Sequence, residues 1–534
     1  MYSGTNLWRN LLSSEIMPLK LQNGKIIETY PNLPQNLYIA LQNTEKKYSY
    51  KIAIIDNYGR TYTYQDLLFK VDSFSSYLKN QMQIQKRSHV ALMLYNSLEF
   101  CVAFLSISKL GAIAVPLPTK YKQQEVFSLI EKSDIQCIIY DENFCTWFSE
   151  YKNQGITTIL SKNAENGYGF SDYTKFHYNN FSSQGMLEDD AIIMFTSGTT
   201  SQSKGVVIKN YNIMHAIITY QNTLNITDND ISIIPIPIYH ITGMVALFGL
   251  FIYCGGTLIL HKFFNAKRVL KDVGIYKISF IHASPTVFSM LLAESKNFGF
   301  LPSLVKLACG SSNMPKEKLM QIHKWLPHST FHTVYGLTET TSPATIFPFD
   351  VSTSNYIGSS GLPIPGTYFE IRAETGAALS ANEIGEIWIS GSVVLDSYYK
   401  LKSPSLKDGW LGTGDLGYFN ENGYLYIVDR KKDMINRGGE KIWSFDVENE
   451  IYHFEGVDDA AVVAVPDEIY GEVPAAMVKA VPGYTLTEQS IQNFLRGKIA
   501  KYKIPQKIMI TDEIPTTPNG KINKREIRKI LAKN

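Results

Sequence analysis

Residues His89 to Pro118 read HVALMLYNSLEFCVAFLSISKLGAIAVPLP, and the order of their apolar runs restricts the fold more than any other feature of the chain. The first run is short, the second is of helix length with Glu99 near its start, and Gly111 precedes a β-branched run that ends in proline. Strand, helix, strand in that span is a βαβ unit, whose strands lie parallel in one sheet through a right-handed crossover. IQCIIYD and AIIMFTS add further buried strands of the same kind, since a parallel sheet covered on both faces needs continuous apolar strands. A chain of 534 residues exceeds one ordinary domain. From Gly358 onward the texture shifts to short strands and Gly/Asn turns: GEIWISG, then NENGYLYIVDR with Asn422-Gly423 as a hairpin turn. After Arg430 the charged patch KKDMINRGGEK reads as a linker into a helical SFDVENEIYHF and the strands AAVVAV and AAMVKAV. These form a small α+β domain of about a hundred residues. The expectation is an α/β protein with a large N-terminal domain over residues 1–430 and a small C-terminal domain over 431–534.

Composition excludes several classes. Lys+Arg number 51 against Asp+Glu 49, so the basic surplus or stripe of a nucleic-acid binder is absent. The five cysteines are odd in number and several sit in apolar runs, which favours reduced core thiols in a cytoplasmic protein over a disulfide framework. In HKWLPHSTFH, Pro327 interrupts the three histidines and no standard zinc spacing is met. The start, MYSGTNLWRNLLSSE, lacks the basic and apolar regions of a secretory signal. Ile241 to Leu260 is uncharged and long enough to span a bilayer, but Gly255-Gly256 divides it into a buried helix and a core strand, so no transmembrane segment is expected. The polar, aromatic-dotted stretch from Ser161 to Glu188 shows no period and reads as a surface excursion.

The chemistry concentrates in a few segments. FTSGTTSQSKG, Phe195 to Gly205, follows an apolar strand and gathers hydroxyls around Gly198 before Lys204. It is not a Walker loop, because Ser203 precedes the lysine and Gly205 follows it. Its backbone N–H groups, hydroxyls and ammonium suit a polyphosphate, while a solvated loop is the plain alternative. In TVYGLTETTSP, Tyr335 can stack on a base and Glu339, beside Thr338, can hold the Mg2+ of a nucleoside triphosphate. In GWLGTGDLGYF, Asp415 lies among glycines, a setting for capture of two ribose hydroxyls or for an ordinary turn. Arg430 ends a strand, Gly438-Gly439 precede Glu440, and Pro518-Asn519-Gly520 turn the chain just before Lys521.

Taken together and in this order, these segments closely resemble the adenylate-forming superfamily of acyl-CoA synthetases, peptide synthetase adenylation domains and firefly-type luciferases, from about residue 30 to the C-terminus. The resemblance implies α/β sheets in the large domain and a mobile C-terminal lid. It implies a carboxylate activated by ATP and Mg2+ as an acyl-adenylate, then passed to a thiol. On it, Lys521 matches the lid lysine bridging the acid and the α-phosphate, and Thr338 the hydroxyl beside that phosphate. Thr196, Ser197, Gly198, Thr199, Thr200 and Lys204 match the phosphate loop, and Glu339 the magnesium ligand. Asp415 and Arg430 match the ribose pair, and Gly310, Ser311 and Ser312 the strip that faces the adenine opposite Tyr335. Lys432 falls at the hinge, and Gly438, Gly439 and Glu440 match the lid loop that lines the thiol tunnel. The departure is Ser201 and Ser203, where the family has Gly and Pro.

PIPIYHITG matches the segment at the acyl pocket and makes His240 its candidate gate, a buried core histidine being the plain alternative. YHITGM lacks the acidic residue that an α-amino acid's ammonium needs, since a buried charge without a counter-charge is costly. The pocket is expected to be lined by 240–249, 308–310 and 336–342, the first two largely apolar and the last rich in small residues, which fits an aryl or medium-chain fatty acid. The texture of the segment resembles fatty-acyl, aryl and succinylbenzoate CoA ligases. No carrier domain follows Lys521, so the thiol is coenzyme A or, alternatively, that of a separate acyl-carrier protein.

Overall fold

The computed structural model describes residues 1–148, 155–162, 168–175, 180–196, 203–312, 314–517 and 521–533. The βαβ unit forms as its pattern predicts, with strands His89–Met93 and Ile113–Pro116 paired in parallel around the helix Leu98–Leu110. Ser97 starts that helix by accepting from the backbone N–H of Phe100, and Gly111 stops it at φ 63°.

These strands belong to a seven-stranded sheet ordered 168–169, 157–160, 135–140, 89–93, 113–116, 190–196 and 204–209. All its neighbours are parallel except the last two, which pair antiparallel with Thr196 opposite Lys204. A nine-stranded sheet lies beside it, its centre the parallel strands Ile231–Ile234, Phe280–Ala283, Lys306–Cys309 and Thr330–Tyr335. A six-stranded antiparallel sheet follows, in which Gly385–Gly391 pairs with Trp410–Phe419 and that strand with Leu425–Arg430 through the Asn422-Gly423 turn.

The C-terminal unit has a five-stranded sheet with its own cores. Ala460, Val462, Ala476 and Val478 pack on one face with Val447, Ile491 and Leu495, while Ala461, Val463, Ala475 and Met477 pack on the other with Ile527 and Leu531. Strand alternation divides the two sets.

The uncharged run from Ile241 is interior. A π-helix over Thr242–Gly249 continues as the helix Leu250–Cys254, and Gly255 ends it at φ 84° before the strand Thr257–Leu260. Among the described residues no helix is long and apolar enough to cross a membrane.

Two expectations need correction. The stretch from Ser161 to Glu188 is not merely a surface excursion, because Phe170 and Tyr173 bury themselves against Phe74, where water would otherwise have to wet three aromatic rings. The charged patch after Arg430 is not all linker: Ile435–Arg437 and Glu440–Ile442 pair as a hairpin of the small sheet, with buried Ile435 and Ile442 supplying the apolar contacts.

Candidate active site

The strand Thr330–Tyr335 ends in Tyr335, and a short 3-10 turn, Thr338–Thr340, then carries Thr338 and Glu339. The chain doubles back so tightly here that a Cβ on Gly336 would meet the Ser342 carbonyl at 1.5 Å. Thr341 and Ser342 leave the turn in the left-handed region, at φ 54° and 90°, a strain held by Thr341 donating to the Val393 carbonyl at 2.8 Å and by Ser342 bonding Tyr220 at 2.9 Å.

Asp415 and Arg430 are register partners across the hairpin of the six-stranded sheet. Arg430 Nε lies 3.2 Å from one Asp415 oxygen, and the Tyr335 hydroxyl donates to the other at 2.9 Å. Asp415 is 4% exposed, and each of its oxygens keeps a lone pair for a further donor. On the next strand end, Gly310 is buried and donates to the Ala283 carbonyl at 3.2 Å, while Ser311, at φ 75°, and Ser312 are exposed.

Lys521 reaches this cluster from the small domain, anchored where Thr517 donates to its carbonyl at 2.7 Å and its own N–H to Thr517 Oγ1 at 3.2 Å. Burial, with the nearby Arg430 cation next, pushes its ammonium down to about 8 against the opposing pull of Asp415 and Glu339. Burial raises Glu339 above the usual carboxylate range, with Lys204 and Lys521 pulling the other way. Lys204 donates to Ser403 Oγ at 3.1 Å and stands 5.2 Å over the Tyr398 ring. Thr196 is its register partner, whereas Ser197, Gly198, Thr199, Thr200 and Ser201 lie outside the described residues.

His240 follows the strand Ile231–Ile234 by a short loop, and its N–H donates to the Pro237 carbonyl at 3.1 Å. Its Nε2 is buried without a partner, and burial, then Lys521 and Lys120, push the imidazole down to about 3. It is neutral at physiological pH, with one ring nitrogen open to a ligand. Gly438, Gly439 and Glu440 stand apart on the exposed turn of the small-domain hairpin, where Gly438 donates to the Tyr470 carbonyl at 2.8 Å and Gly439 to Asn436 Oδ1 at 3.0 Å. Lys432 is exposed beside the hairpin.

The structure thus gathers Tyr335, Glu339, Asp415, Arg430, Lys204 and Lys521, and it adds groups that local sequence pattern does not mark: Tyr398, Ser403 and Thr413, whose hydroxyl accepts from the Asp415 N–H at 3.1 Å. Tyr398 lies in SYYKLKSP, whose only signal is a pair of aromatics. Two carboxylates and three cations in a half-buried site suit a polyphosphate with its counter-ion. The donor set fits Mg2+, which takes hard oxygens and commonly binds one protein carboxylate alongside substrate phosphates and water. Glu339 offers such a carboxylate, which accepts a long 3.4 Å contact from the Tyr398 hydroxyl.

Comparison with known proteins places the chain in a family. The profile of the AMP-binding enzyme family matches residues 41–399, and that of the AMP-binding enzyme C-terminal domain matches 446–521. A 2-succinylbenzoate–CoA ligase of Bacillus velezensis is 30% identical over 90% of this chain and 95% of its own. A feruloyl-CoA synthase of Amycolatopsis is 32% identical over 64% of this chain and 70% of its own. The o-succinylbenzoate CoA synthetase from Bacillus subtilis, solved with its acyl-adenylate intermediate, superposes with a TM-score of 0.81 at 27% identity, over 92% of this chain and 98% of its own. The chain belongs to the AMP-binding enzyme family, a class of ATP-dependent, adenylate-forming ligases.

Proposed function

We propose that the chain is an AMP-forming acid–CoA ligase acting on an aryl-type carboxylic acid, with the large domain running to Arg430, the lid beginning at Lys431 and Lys432 at the hinge. The observation that carries it is the meeting of Lys521, from the lid, with Glu339, Asp415 and Arg430 of the large domain. In this orientation the Lys521 ammonium serves the first half-reaction, drawing the acid's carboxylate to the α-phosphate of ATP. The carboxylate oxygen bonds to that phosphorus as the bridge to pyrophosphate breaks, and pyrophosphate leaves with the electron pair. Lys204 and the hydroxyls of Thr196 and Thr338 offset phosphate charge, while Glu339 would hold Mg2+, which when bound neutralises the triphosphate.

Asp415 accepts from the ribose hydroxyls with Arg430 beside it, and Tyr335 and the Gly310–Ser312 strip flank the base. In the second half-reaction the lid turns about Lys432, Lys521 withdraws, and the Gly438–Glu440 turn lines the path of the coenzyme A thiol. The thiolate attacks the acyl carbonyl carbon and AMP departs. His240, neutral with an open nitrogen, faces the acyl group as its gate. An aryl acid is supported by relatives named for 2-succinylbenzoate and ferulate and by a pocket segment without an acidic residue.

The test is pyrophosphate release with ATP and Mg2+ across fatty, benzoic, cinnamic and amino acids, each with and without coenzyme A. An aryl acid should stand out and coenzyme A should yield its thioester. Release unaffected by coenzyme A would move the thiol to a carrier protein, and preference for fatty acids would overturn the aryl assignment. Lys521→Ala should slow acyl-adenylate formation by about 100-fold or more while leaving thioester formation from supplied acyl-adenylate largely intact. Equal loss of both steps would remove Lys521 from its role.

A further inference from the structure

Tyr398 is 6% exposed and stands between the two oppositely charged side chains that the proposed function assigns to the triphosphate. Its backbone segment is stitched to both of their elements. Tyr398 forms a β-bridge with Val206, and the Tyr399 N–H donates to the Gly205 carbonyl at 2.7 Å, beside Lys204. In the same segment the Leu395 N–H donates to the Glu339 carbonyl at 2.9 Å, and the Val393 carbonyl accepts from Thr341. The side chain repeats the pattern: its hydroxyl donates to Glu339 Oε1 at 3.4 Å and its ring lies 5.2 Å below the Lys204 ammonium.

An ammonium and a carboxylate left facing each other in a half-buried site would close into an ion pair, and each would then be spent before a ligand arrived. Here neither takes the other. Lys204 is held by an aromatic face and the Ser403 hydroxyl, at 3.1 Å, and Glu339 by a long phenolic bond. These are weak holds that a phosphate or a divalent cation displaces, so both groups are preorganised at little cost to binding. We infer that Tyr398 is a positioning residue that keeps Glu339 and Lys204 apart and poised for the magnesium–triphosphate unit, with Ser403 retaining the ammonium.

This inference rests on the ligase reading, and its test separates the two. The probes are Mn2+ binding followed by electron paramagnetic resonance in the presence of a non-hydrolysable ATP analogue, calorimetric binding of that analogue with Mg2+, and the kcat and KM of adenylation. Tyr398→Phe, which keeps the ring, should weaken Mn2+ binding about three- to tenfold. Tyr398→Leu, which removes the ring as well, should also weaken analogue binding, raising the KM for ATP more than it lowers kcat. In a Glu339→Gln background Tyr398→Phe should have no further effect, a non-additivity that a general packing role would not produce. Tyr398→Phe is the conservative arm should Tyr398→Leu fail to fold. Folded variants with unchanged Mn2+ and analogue affinity, or additive effects in the Glu339→Gln background, overturn the inference while leaving the ligase reading standing. A wild-type protein that releases no pyrophosphate with any acid and binds no analogue overturns both.

Discussion

Lys521 sits among two cations, Arg430 and Lys432, and two carboxylates, Asp415 and Glu339, and burial, with the cations acting in the same direction, outweighs the carboxylates and brings its proton affinity down to about 8. The free enzyme should therefore lose adenylation above that pH, with an alkaline limb near 8 in kcat/KM for ATP, a parameter that reports the free enzyme. Stability carries the opposite sign to that of an ion-paired lysine. The unfolded chain holds this proton up to its ordinary value of 10.5, so folding is penalised at neutral pH and the penalty shrinks as pH rises from about 8 toward 10.5. Lys521→Met should raise the urea midpoint at pH 7 and raise it less at pH 10. An equal gain at both would show that the side chain is not desolvated in the empty enzyme. Lys521, Glu339, Asp415 and Arg430 are marked as candidates by their motifs. Tyr398 and Ser403 are not, because what they do depends on partners from other segments of the chain.

At the scale of elements, the hairpin that pairs Asp415 with Arg430 depends on close backbone approach. A Cβ on Gly417 would lie 2.4 Å from the Tyr426 carbonyl oxygen, next to a register shift at Leu416 and Gly417. Gly417→Ala should destabilise the protein by about 1–3 kcal/mol, seen in a denaturant midpoint, and raise the KM for ATP through the displaced Asp415. A neutral result would mean that the strand can shift without moving Asp415 and Arg430. The Asn422-Gly423 turn and the βαβ unit are readable in the sequence because capping, turn chemistry and periodicity are written within a few residues. The hairpin inside the charged patch, and the packing of Phe170 and Tyr173, escape that reading, since ordering there comes from distant apolar surface rather than from local pattern.

Across the whole molecule, four bridges between basic and acidic side chains among the described residues join the small domain to the large one in the present orientation: Lys431 to Glu386, Lys441 to Glu374, and two that meet on one helix. Lys318 lies 3.1 Å from Asp458, and His453 Nε2 lies 2.7 Å from Glu317. Both large-domain partners belong to the helix Lys316–Trp325, so a turn of the lid must break the two together. Lys318→Glu should slow adenylation in single turnover and spare or hasten thioester formation from supplied acyl-adenylate, and Asp458→Lys in the same chain should restore the balance. A uniform loss of both half-reactions, unrescued by the second change, would show that these pairs support the fold rather than the lid's orientation.

By itself the sequence determined the fold class, the order of the elements and the chemical groups available, because strand and helix periods, glycine turns and the spacing of hydroxyls, carboxylates and lysines are local properties. Only the tertiary structure decided which of those groups meet. Lys521 acquires its low proton affinity, Asp415 its two partners and Lys204 its separation from Glu339 from the packing of sheets and domains, and those fields come from residues far apart along the chain.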